Sequence, residues 1–104
     1  QYVKADEALA VKDLTADLPF GDKVRSLVDE FNTGKTVEAK LAADADQLCL
    51  ILDLKARSDL GHIPPKKWIP IVSGRLRTDT GKSLCKTILK TDSDRWWLEP
   101  LTRK

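Results

Sequence analysis

Apolar residues recur along this chain at the 3.6-residue spacing of helices, and nowhere do they alternate long enough to predict a strand. Val3, Leu9, Ala10, Leu14 and Leu18 make a stripe that predicts a first helix from about Val3 to Leu18, closed by Pro19 and Gly21. Val24, Leu27, Val28 and Phe31 predict a second, from about Asp22 to Phe31. Asn32-Thr33-Gly34 then reads as a turn, because these residues tolerate the left-handed conformation. Thr36 is a good N-cap for a third helix reaching about Arg57, with Glu38 in its first turn where the helix dipole favours an anion. Leu41, Ala45, Leu48 and Leu52 are its expected inward stripe. Cys49, Leu50, Ile51 and Leu54 fill much of the remaining circumference, the pattern of a central helix surrounded by others.

Gly61, Pro64, Pro65 and Pro70 predict a break in helical structure, with at most one turn at Lys67-Trp68-Ile69. Thr78 caps a last strong helix, about Asp79 to Lys90, with Leu84, Cys85, Ile88 and Leu89 facing inward. Gly81 costs that helix roughly 1 kcal/mol relative to Ala, so a close approach is expected there. Arg95-Trp96-Trp97-Leu98 is expected to fold back onto the helices; an exposed Trp pair would mark a partner surface instead. The expected fold class is therefore all-α.

Composition narrows the chemistry. The 104 residues include one histidine, two cysteines and no methionine, which excludes a zinc site built on two histidines or four thiolates. No apolar run approaches the ~18 residues that span a bilayer. Cys49 and Cys85 are too few for a disulfide framework and sit in apolar patterns, so both are expected to be buried, reduced thiols. With no signal-peptide pattern at the start, a cytoplasmic location is expected. Residues 1–59 carry a net charge of −4 and residues 60–104 a net of +6. A basic half can meet phosphate, but there is no five-residue basic run and no aromatic interleaving, so nucleic acid is not the expected partner. Arg75, Arg77, Lys82 and Lys86 are either a solvated surface or phosphate contacts. Ser73 and Ser83 have no histidine near them in sequence, which argues against a serine nucleophile.

The unusual feature is Asp44-Ala45-Asp46 within the third helix. On a helical projection Asp46 neighbours Ala42, Cys49, Leu50 and Asp53, a surface expected to be largely buried. A carboxylate there needs a metal, a cation or hydrogen-bond donors to offset its desolvation. A buried salt bridge or a carboxylate reaching water from the helix edge would satisfy the pattern as well as a metal.

Residues 27–52, L-V-D-E-F-N-T-G-K-T-V-E-A-K-L-A-A-D-A-D-Q-L-C-L-I-L, resemble the latter half of HD-domain metal-dependent phosphohydrolases, closest to the 5′-deoxynucleotidase branch. The elements of likeness are Asp29-Glu30-Phe31, then Thr36-Val37-Glu38-Ala39, then Asp44-Ala45-Asp46-Gln47-Leu48. Residues 75–84, R-L-R-T-D-T-G-K-S-L, and the Trp96-Trp97 tail extend it. Val37 stands where the branch commonly has proline.

The resemblance implies an HD-domain-like helical bundle of which residues 1–104 are the C-terminal portion, carrying the later helices only. It implies a divalent metal (Mn, Co, Fe, Zn or Mg) held by an early His, a His-Asp pair and a final Asp. That final Asp corresponds to Asp46; in a shifted register the role falls to Asp44. His62 lies downstream and is not followed by Asp, so it matches none of these positions. The other ligands and the catalytic glutamate are expected upstream of Gln1. The activity implied is hydrolysis of nucleoside 5′-monophosphates or similar small phosphomonoesters by a homodimer. The alternative is a non-catalytic helical dimerisation module on the same scaffold.

Overall fold

The computed structural model describes residues 6–102. They form six helices, with no strand among the described residues: α1 (Glu7–Thr15), α2 (Gly21–Thr33), α3 (Val37–Asp59), α4 (Pro64–Ser73), α5 (Asp79–Lys90) and α6 (Arg95–Thr102). The all-α expectation holds. The chain divides into two compact units between Ala39 and Lys40.

In the first unit, Asp6 caps α1 by accepting the Leu9 amide at 3.1 Å. Val3 lies outside the described residues. The α1 stripe is otherwise little buried: Leu9, Leu14 and Leu18 are exposed, and the buried residue is Thr15, whose hydroxyl donates to the Val11 carbonyl at 2.7 Å. The turn into α2 needs Gly21, since a Cβ there would collide with the Thr15 carbonyl oxygen. Gly34 ends α2 in the left-handed conformation, φ 68°, its amide donating to the Glu30 carbonyl at 3.0 Å. The Glu30 carboxylate then accepts the Thr36 hydroxyl at 2.7 Å, and the same hydroxyl accepts the Ala39 amide at 3.1 Å. Thr36 thus caps α3 as its residue type predicts.

The second unit holds the larger core. Ile51 and Leu54 of α3, Val72 of α4, Leu76 of the connection that follows it and Cys85 of α5 pack together, with Leu48, Ile69 and Ile88 half-buried against them. The inward face of α3 is therefore Asp44, Leu48, Ile51 and Leu54 rather than the expected stripe; Leu41, Ala45 and Leu52 are exposed. Cys49 is likewise an exposed thiol, whereas Cys85 is buried; both are free. On α5 the buried residues are Gly81 and Cys85, with Leu84 and Leu89 exposed.

The expected break at residues 61–70 is mostly a helix. Gly61 takes φ 99° and stops α3, but Pro64 and Pro65 then occupy the first turn of α4, where a missing N–H costs nothing. Pro70 removes one hydrogen bond inside α4, and the helix runs on to Ser73. The tail is also helical. Trp97 donates its indole N–H to Asp94 at 3.3 Å, while Trp96 stays 80% exposed. No helix among the described residues is long and apolar enough to cross a membrane.

Candidate metal site

Asp44 and Asp46 sit in the same turn of α3 and face different surroundings. Each residue of a helix turns ~100°, so two steps carry the second side chain nearly to the opposite side. Asp44 is 2% exposed. Its Oδ1 accepts the Arg77 amide at 2.8 Å. Its Oδ2 accepts the Thr78 amide at 2.8 Å and the Thr78 hydroxyl at 2.6 Å. Thr78 in turn caps α5, accepting the Gly81 amide at 2.9 Å. Burial pushes the Asp44 carboxyl up, but the Thr78 hydroxyl and the two amides outweigh it and hold the group below its ordinary value. The positive end of α5 favours the same charged form.

This arrangement explains Gly81. A Cβ at that position would collide with the Asp44 carboxylate, so the expected close approach is that of α5 to Asp44. Asp44 fastens the start of α5 to α3, and three donors already occupy its two oxygens. It does not fit the role of a metal ligand.

Asp46 is exposed, not embedded in an apolar surface as its neighbours suggested. No hydrogen bond or ion pair engages its carboxylate among the described residues. It shares its face of α3 with Cys49, Leu50 and Asp53, all exposed. An uncommitted carboxylate on a rigid helix fits a metal donor. It is one donor only: no three His, Cys, Asp or Glu side chains among the described residues lie close enough to hold an ion. His62 is exposed in the turn between α3 and α4. Arg75, Arg77, Lys82 and Lys86 are exposed too.

The sequence pattern gave no warning of one cavity. A groove of about 460 Å³ lies between α3 and α4. Trp68, Ile71, Val72 and Arg75 line it at the i, i+3, i+4, i+7 spacing of a helix face. That period is present in the sequence, but Pro64 and Pro65 before it and Pro70 within it mask it.

Neither curated proteins nor solved structures include a significant match to this sequence. A family profile described as an HD domain does match, over residues 1–88. That span takes in the first compact unit and most of the second, with Asp44, Asp46 and nearly all of α5. On that match the chain belongs to the HD-domain family.

Proposed function

We propose that this chain is part of a metal-dependent phosphohydrolase acting on nucleoside 5′-monophosphates or similar small phosphomonoesters. The observation that carries the reading is the division of labour within Asp44-Ala45-Asp46. One aspartate is engaged by three hydrogen bonds and the other, which the sequence resemblance aligns with the family's last metal ligand, has no bonding partner among the described residues. Asp46 would supply an anionic oxygen to a divalent cation. When bound, such a cation positions the phosphate and lowers the pKa of a water for attack at phosphorus. The α3 backbone around Asp46 holds its carboxylate in place, since Asp44, Ile51 and Leu54 anchor the same helix from the other side. We place the remaining ligands and the acid–base group in a segment preceding these 104 residues, and infer a cytoplasmic homodimer.

The test uses the intact protein, loaded with Mn²⁺ or Co²⁺ and assayed on a panel of nucleoside monophosphates. Asp46→Ala is expected to lower both bound metal and turnover at least a hundredfold, with the thermal midpoint unchanged because the side chain is exposed. Metal content and turnover both matching wild type in that variant would overturn the reading.

A further inference from the structure

We propose that the groove between α3 and α4 seats the planar base of the substrate. This inference rests on the phosphohydrolase reading, since it assigns the organic half of a molecule whose phosphate that reading places at Asp46.

The first argument is alignment. Asp46, Leu50, Asp53 and Arg57 follow one another at i, i+4, i+7 and i+11, which is one stripe along α3. The last three line the groove. From Asp46 to Asp53 the helix rises ~10 Å at 1.5 Å per residue. That is the scale separating the phosphate of a mononucleotide from the far edge of its base. The groove therefore continues along the same side of α3 that carries the free carboxylate.

The second argument is chemistry. The buried Leu54 and Val72 provide an apolar base to the groove, and the indole of Trp68, 52% exposed, offers an aromatic face. Arg57 bonds Asp53 through Nε alone, at 3.2 Å, leaving its terminal nitrogens and the second Asp53 oxygen available. Arg75 makes no ion pair among the described residues. A flat ring, guanidinium planes and a carboxylate acceptor beside an apolar floor suit a heterocycle that stacks, accepts and donates hydrogen bonds. An alkyl chain would leave these polar groups unused. At about 460 Å³ the groove is within the range of small-molecule sites.

The experiment uses the intact protein carrying Trp96→Phe and Trp97→Phe, so that Trp68 is the only indole on this chain. Deoxyadenosine and deoxyadenosine 5′-monophosphate, added in the presence of chelator, are expected to quench its fluorescence saturably; ribose 5-phosphate is not. Arg75→Ala and Asp53→Ala should each weaken the quenching several-fold. In turnover, Trp68→Ala should lower the ratio of kcat/KM for deoxyadenosine 5′-monophosphate over ribose 5-phosphate about tenfold, as expected for loss of base stacking, and Trp68→Phe should keep most of it. Hydrolysis without quenching, or a ratio that Trp68→Ala leaves alone, would overturn the groove assignment. Quenching with no hydrolysis of either phosphate would overturn the phosphohydrolase reading and leave a base-binding groove.

Discussion

The two sides of α3 are built from similar residues and end in different states. On one side Asp44, Ile51 and Leu54 are buried; away from it Asp46, Cys49, Leu50 and Leu52 are exposed. Hydrophobicity does not separate them, since leucines lie on both. The difference comes from what each side has to pack against or bond to. The buried side meets Val72, Leu76 and Cys85, and its one carboxylate finds three hydrogen-bond donors. The exposed side has an uncommitted carboxylate among apolar neighbours. A buried polar group is stable when fully bonded, and a free one in the same helix is available for a ligand.

Neighbouring substitutions probe that contrast most strongly. Ile51 is fully buried, and Ile51→Ala should destabilise the protein by about 3–4 kcal/mol. Leu52, next along the helix, is 52% exposed, and Leu52→Ala should cost less than about 1 kcal/mol. Urea midpoints of the intact protein measure both. Equal losses would break the comparison, by revealing that the exposed side is covered in the full assembly.

The carboxylates give the next test. Asp44→Ala removes the acceptor for two backbone amides and a hydroxyl, and should cost about 3 kcal/mol. Asp46→Ala should leave stability within about 0.5 kcal/mol of wild type while affecting metal and turnover. A thermal melt of each variant suffices. A large loss with Asp46→Ala would return that residue to a structural role.

The residues themselves show how far the sequence could be read. The cap at Thr78, the bounds of α5, the turn at Gly34 and a close approach at Gly81 were all legible, because each depends on a few adjacent residues. The demand that an aspartate in this helix find donors is legible too, but the sequence pattern points to Asp46 whereas Asp44 is the one enclosed. Local pattern could not settle this: α3 is apolar nearly all round, so stripes through Leu41 and through Ile51 fit the helical period equally well. The choice is made by Arg77 and Thr78, more than thirty residues later. Helix α4 is hidden in the sequence because proline ordinarily marks a break, whereas two of its three prolines sit where a helix needs no amide hydrogen. The groove is hidden with it.

Gly81 sharpens the account of the buried side at smaller scale. Gly81→Ala improves helix propensity by roughly 1 kcal/mol, which in an exposed helix would stabilise. Here the new methyl meets the Asp44 carboxylate, and the net effect should be a loss of about 1–2 kcal/mol. In an Asp44→Ala background the collision disappears, so the same substitution should become neutral or favourable. A double-mutant cycle on urea midpoints reads the change of sign, and additivity of the two substitutions would refute the contact.

A third carboxylate on α3 separates bonding from depth. Asp59 bonds Lys55 at 2.5 Å and accepts both the amide and the hydroxyl of Ser93, at 3.0 and 2.8 Å. The side chains of Lys55 and Asp59 are 14% and 21% exposed, so this carboxylate is less enclosed than Asp44. The Lys55 bond is the main cause that holds its pKa at about 2, against an ordinary 3.8, with burial opposing and Ser93 assisting. A depressed folded-state value means that Asp59 stabilises the fold fully above pH 4 and ceases to do so as pH falls through 2. Allowing for solvent screening, the contribution lost is about 1 kcal/mol. Wild type and Asp59→Asn should therefore differ in urea midpoint at pH 6 and converge near pH 2. Ser93→Ala should narrow that difference by removing one of the hydrogen bonds to the charged form. A difference that persists undiminished at pH 2 would show that Asp59 acts through packing, and that bonding to its ionised oxygens is not what distinguishes the structural carboxylates of α3 from Asp46.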